Sequence, residues 1–135
     1  MSKAMILVAD DDLDIVRAVT MRLQFAGYEV ISATDGKMAT RLAFDAAPDL
    51  VILDIGMPNR DGYAVAEDIL ACDDAKCTPI IFLTARNSEE DRAKAYQAGV
   101  TRYLTKPFKS EDLLETVARS LECTRQTHRA PVTPR

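Results

Sequence analysis

Apolar residues in this chain form short unbroken runs, separated by stretches in which they recur every three or four positions. The runs Ile6-Leu7-Val8, Leu50-Val51-Ile52-Leu53 and Ile80-Ile81-Phe82-Leu83 contain no polar residue. A strand with one wet face would alternate, so unbroken runs predict parallel strands covered on both faces. Five strands follow: Met5–Ala9, Glu29–Ala33, Leu50–Leu53, Ile80–Leu83 and Tyr103–Leu104.

Helical periodicity fills the intervals. In Leu13–Ala26, Ile15, Val19 and Leu23 share one face and Gly27 supplies the stop. Gly36–Ala46 ends before Pro48, which disfavours helix in the residue preceding it. Tyr63–Ala71 follows an Asp61-Gly62 turn. The fourth helix has Ser88 as N-cap, acids at Glu89, Glu90 and Asp91, and Gly99 past its end. The fifth takes Ser110 as cap and Glu111-Asp112 in its first turn, and buries Leu113, Leu114, Val117 and Leu121. Strands alternating with helices predict an α/β fold, a flavodoxin-like doubly wound five-stranded parallel sheet of order 2-1-3-4-5 with five helices. One domain is expected over residues 4–122. Cys123–Arg135 lacks periodicity and contains Pro131 and Pro134, which predicts a flexible tail or the start of a linker.

Composition narrows the function classes. The chain has 135 residues and a net charge of −4, without a basic run, so no direct contact with nucleic acid is expected. No apolar run reaches the roughly 20 residues that span a bilayer. The first residues lead straight into a strand, leaving no room for a signal peptide, and a cytoplasmic location is expected. Three cysteines, Cys72, Cys77 and Cys123, form no CxxC pair and predict reduced thiols rather than a disulfide or zinc framework. His128 is the only histidine, which argues against chemistry built on imidazole.

Candidate chemistry gathers at strand ends. Asp10 and Asp11 follow the first strand, Asp54 the third, Thr84 the fourth and Lys106 the fifth. Open parallel sheets place their ligand crevice outside the carboxyl ends of the strands, and strands 1 and 3 are neighbours in the expected order. A carboxylate ending an apolar strand is costly unless paired or metal-bound. Three together call for a cation, and hard oxygen ligands suit Mg²⁺. Lys106 adds a fixed positive charge for an anion, and Pro107 behind it permits a sharp turn. Asp12 and Asp14 are assigned to capping the first helix.

The stretches Ile6-Leu7-Val8-Ala9-Asp10-Asp11-Asp12, Leu53-Asp54-Ile55-Gly56-Met57-Pro58, Asp61-Gly62, Leu83-Thr84-Ala85 and Leu104-Thr105-Lys106-Pro107-Phe108 resemble the receiver domain of two-component response regulators, in its single-domain, chemotaxis-type form. The resemblance covers residues 4–122 with every motif in order. It implies a phosphorelay switch: Asp54 takes a phosphoryl group from a sensor histidine kinase or a histidine phosphotransfer protein. It further implies Mg²⁺ held by Asp11, Asp54 and the Gly56 carbonyl, with Asp10 acting through water. Lys106 and Thr84 would contact phosphoryl oxygens, and Tyr103 would be the switch aromatic. Gly56 and Arg86 occupy positions at which the family tunes phosphoryl lifetime.

The implied output face comprises Ser88–Ala98, Arg102–Thr105 and Ser110–Glu122, available to a downstream effector protein or to a second copy in a homodimer. The residues past Glu122 are too few for a DNA-binding module, so the chain is expected to be a stand-alone receiver or part of a longer protein. Chemistry confined to its own aspartate makes it a phosphoacceptor domain rather than an enzyme. A dehalogenase-like phosphatase would need an acid where Gly56 stands. A pseudo-receiver, an interaction module independent of phosphorylation, would be expected to lack an acid, the threonine or the lysine, and all are present.

Overall fold

A computed structural model describes residues 3–71, 78–100 and 102–129. Five strands and five helices alternate: β1 Met5–Ala9, α1 Leu13–Phe25, β2 Glu29–Ala33, α2 Gly36–Ala46, β3 Leu50–Leu53, α3 Gly62–Leu70, β4 Ile80–Thr84, α4 Glu89–Gln97, β5 Arg102–Thr105 and α5 Ser110–Arg129. The sheet is parallel throughout in the order β2-β1-β3-β4-β5, as expected.

The unbroken apolar runs have a direct cause. Alternate residues of each central strand enter two separate cores. Leu7, Val51, Leu53, Ile80 and Phe82 pack with residues of α2, α3 and α4 on one face. Ile6, Val8, Leu50, Ile52, Ile81 and Leu83 meet Val19, Leu23, Leu113, Val117 and Leu121 of α1 and α5 on the other. With both faces covered, neither parity of strand residue can be polar.

Helix ends follow local chemistry. Asp12, Asp35, Asp61 and Ser88 cap α1 to α4, each side chain accepting from a backbone N–H of the first turn. Asp14 lies inside the first turn of α1 and donates its N–H to Asp12. Gly27 and Gly99, with φ of 99° and 97°, carry the chain out of α1 and α4 in the left-handed region open to glycine. Ile15 is only partly buried but packs, as expected, against the core that holds Val19 and Leu23.

Beyond one-residue differences at α1 and α3, both limits of α5 depart from expectation. Ser110 is the first residue of α5 rather than its cap, and the Leu113 N–H donates to the Lys109 carbonyl. The backbone of α5 continues past Glu122 to Arg129, where a tail was expected. Apolar periodicity fades there, but no glycine or proline interrupts the chain before Pro131, so nothing stops the helix. Cys72, Cys77, Asp73, Asp74, Pro131 and Pro134 lie outside the described residues, as do the side chains of Cys123 and His128. Among the described residues, no helix is long and apolar enough to cross a membrane.

Candidate functional site

Sheet register assembles the site. Ala9 pairs with Leu53, so Asp10 and Asp54 leave β1 and β3 side by side, and the Asp54 N–H donates to the Ala9 carbonyl at 3.0 Å. Thr84 pairs with Thr105 at the ends of β4 and β5, and the Lys106 N–H donates to the Thr84 carbonyl at 2.9 Å. The Lys106–Pro107 peptide bond is cis.

Carboxylate oxygens of Asp10, Asp11 and Asp54 lie within 4.8 Å of one another. Their exposure is graded, with Asp10 buried, Asp54 half-buried and Asp11 exposed. Three hard oxygen donors of formal charge −3, open on one side to water, fit a divalent cation that keeps part of its hydration shell. The Lys106 ammonium lies 2.6 Å from Asp10 Oδ2 and 3.4 Å from Asp54 Oδ2. Asp10 Oδ1 accepts the Asp12 N–H at 2.9 Å, so both Asp10 oxygens have protein donors.

The charges perturb one another. Burial raises the Asp10 carboxyl above its ordinary range and the Asp54 charge adds to the rise, against the Lys106 and Asp12 hydrogen bonds. Burial alone would lower the Lys106 ammonium. The Asp10 hydrogen bond and the charges of Asp10 and Asp54 outweigh it and raise the group. Lys106 is therefore held toward its cationic form.

Glycines set the shape of the surrounding loops. A β-carbon on Gly62 would lie 2.5 Å from the Asp54 carbonyl oxygen, so only glycine lets α3 start this close to β3. One on Gly36 would meet the Arg60 carbonyl at 1.8 Å, which presses the loop after β3 against α2. At Gly56 the space is open, and Arg86 Nη2 lies 3.8 Å from where a β-carbon would stand.

Thr84 is buried, and its hydroxyl oxygen accepts the Arg86 N–H at 3.3 Å, leaving its own hydrogen to donate. Tyr103 is half-buried edge-to-face on Phe82, and its hydroxyl donates to the Arg86 carbonyl at 2.8 Å.

A sequence profile of the response regulator receiver domain matches residues 6–118. The chain belongs to that family. As a receiver domain it is 41% identical over 112 residues to the transcriptional regulatory protein PrrA of Mycobacterium tuberculosis, covering 83% of this chain and 47% of PrrA. It thus spans about half the length of that curated relative. The crystal structure of the chemotaxis protein CheY4 of Vibrio cholerae superposes with a TM-score of 0.83 at 37% identity, over 88% of this receiver and 99% of CheY4. A CheX–CheY–BeF₃–Mg²⁺ complex from Borrelia burgdorferi gives a TM-score of 0.79 at 26% identity, over 84% and 86% of the two chains.

The receiver's strand ends bring together Asp10, Asp11, Asp54 and Lys106, with Thr84 bonded to Lys106 through its backbone. Tyr103 reaches this group only through the loop after β4. Sequence reasoning passed over two residues here. The Tyr63 hydroxyl donates to Asp91 Oδ1 at 2.9 Å, and Ser88 Oγ donates to Asp91 Oδ2 at 2.8 Å. Asp91 thereby ties α3 to the start of α4. An acid in a first helical turn and an aromatic after Asp61-Gly62 are both explained locally, so neither spacing indicates that the two meet.

Proposed function

We propose that this receiver is a phosphorylation switch whose acceptor is Asp54. A carboxylate oxygen of Asp54 attacks the phosphorus of a phosphohistidine on a sensor kinase or phosphotransfer protein. The P–N bond breaks and its electron pair returns to the imidazole. The observation that carries this reading is the Lys106 ammonium fixed between Asp10 and Asp54 beside a third carboxylate. Phosphoryl transfer requires mainly positioning and charge neutralisation, and these groups supply both.

Asp11, Asp54 and the Gly56 carbonyl would hold Mg²⁺, with Asp10 acting through water because its own oxygens already accept two protein donors. Bound there, Mg²⁺ would neutralise charge on the phosphoryl oxygens. The Borrelia complex carries Mg²⁺ together with BeF₃, which supports the assignment. Lys106 would hold one phosphoryl oxygen and the Thr84 hydroxyl another. A phosphoryl adds about −1.5 to −2 charges, and contacts made only in that state shift the equilibrium of α4, β5 and α5.

That face would act on a downstream effector in the cytoplasm, as a monomer or through a second copy. The name of PrrA supports an output in transcription. Incubation with acetyl phosphate, followed by intact-protein mass, tests the acceptor. A single Mg²⁺-dependent adduct, absent from Asp54→Asn, is expected. Wild-type protein that neither binds Mg²⁺ nor takes an adduct would overturn the reading and leave an interaction module independent of phosphorylation.

A further inference from the structure

Helix α4 is held by polar links on two sides more than by a core of its own. Of its nine residues only Ala95 is buried. Two consecutive residues near its start reach in opposite directions. Arg92 Nη2 donates to Thr105 Oγ1 at 3.0 Å, with its guanidinium 4.6 Å from the centre of the Tyr103 ring, and so grips β5. Asp91 Oδ1 accepts the Tyr63 hydroxyl of α3 at 2.9 Å.

The two ends of the Tyr63–Asp91 bond are fixed to different degrees. Tyr63 is 6% exposed and packs edge-to-face on Phe82 at 5.5 Å. It follows Gly62, whose N–H donates to the Ile55 carbonyl at 2.7 Å and which abuts the Asp54 carbonyl. Tyr63 is thus rooted beside the loop that carries Asp54. Asp91 belongs to a helix resting on one buried alanine. Its side chain is 24% exposed and also accepts Ser88 Oγ at 2.8 Å, so without Tyr63 it stays solvated and partnered.

We propose that the Tyr63–Asp91 hydrogen bond is a brake on the switch, holding α4 against α3 until charge is added at Asp54. The inference rests on Asp54 as acceptor. With Tyr63 fixed, moving the first turn of α4 by about 1 Å takes the pair out of hydrogen-bonding range. Every conformer that shifts α4 relative to α3 then gives up a hydrogen bond to a carboxylate. The free receiver populates such conformers less, and an anion bound at Asp54 must offset that loss before it is held. Arg92, Thr105 and Tyr103 meet on the other side of α4, so the brake is separate from the contacts at β5.

The test is a mutant cycle read by affinity for beryllofluoride, a phosphoryl-like anion, in saturating Mg²⁺. Amide NMR signals of α4 follow the titration, and intact mass after acetyl phosphate reports separately on Asp54 as acceptor. Tyr63→Phe keeps the ring on Phe82 and is expected to lower the half-saturating concentration about tenfold, the strength of a hydrogen bond to a charged group. Asp91→Ala removes the other partner, keeps the backbone N–H that Ser88 caps, and should give a similar shift. The double variant should shift no further than either single one. Unchanged half-saturation, even with faster hydrogen exchange in α4, overturns the brake and leaves Tyr63 a merely structural residue. Weaker binding in either variant, or additive shifts in the double one, overturns it as well while leaving Asp54 as acceptor. Wild type that binds no beryllofluoride and takes no adduct removes the acceptor reading and the brake with it.

Discussion

Lys106 and Asp10 are 96 residues apart in the chain and 2.6 Å apart in the fold. The side chain of Asp10 is 3% exposed, and Lys106 is its one cationic partner among the described contacts. Removing one partner of such a buried pair leaves an uncompensated charge. Lys106→Met should therefore lower stability by about 3 kcal/mol in chelator. Added Mg²⁺ should stabilise the variant more than wild type, because it no longer competes with a resident cation. Chemical denaturation with and without Mg²⁺ measures both effects, and equal gains from Mg²⁺ would refute the competition.

Glycine substitutions should separate by position. Gly62→Ala and Gly36→Ala push a β-carbon into backbone at 2.5 Å and 1.8 Å, and each should cost about 3 kcal/mol or more in urea denaturation. Gly56→Ala meets only the flexible end of Arg86 at 3.8 Å and should change stability by less than about 0.5 kcal/mol.

Tyr63 makes the protein sensitive to alkali. Burial raises its hydroxyl well above the ordinary tyrosine value, reinforced by the hydrogen bond and charge of Asp91. A group raised on folding contributes stability that is fully present below its unfolded pKa, about 10, and is lost as pH rises through the folded value. Tyr63→Phe should cost about 1.5–3 kcal/mol near neutrality, where a hydrogen bond to a carboxylate disappears. Its stability should then fall less steeply above about pH 10 than that of wild type. Denaturation at neutral and alkaline pH, with tyrosinate absorbance as the titration readout, tests the difference. Tyr103 is also raised, chiefly by burial, and remains in the variant.

Two phenylalanines mark opposite extremes. Phe82 is fully buried, edge-to-face with both Tyr63 and Tyr103, and Phe82→Ala should cost about 3–5 kcal/mol. Phe25 is 96% exposed beside an open apolar groove of about 550 Å³ between α1 and α5, lined also by Met21 and Leu114. Phe25→Ala should leave the denaturation midpoint nearly unchanged.

The sheet was legible because its physics is local and strong. Unbroken apolar runs allow only doubly covered strands, and polar residues at their ends mark the crevice. Asp10, Asp11, Asp54 and Lys106 could be brought together from strand order alone. The extension of α5 through Arg129 was not legible, since fading periodicity weakens a helix signal without supplying a stop. Nor was the Tyr63–Asp91 hydrogen bond, which depends on how α3 and α4 lie across the sheet. The packing at Gly36 was equally hidden, because a helix-opening glycine looks the same whether or not a carbonyl presses against it.

The charged cluster draws Asp10 and Asp11 from the end of β1, Asp54 from β3 and Lys106 from β5, and no two of those strands are joined by a short hairpin. All four groups meet only when β1, β3 and β5 are all in place. If β1 frays the cluster loses Asp10 and Asp11, and if β5 frays the remaining carboxylates face each other without their ammonium. Competence to hold charge at Asp54 is thus a property of the finished sheet, and a partly folded chain has none to misuse.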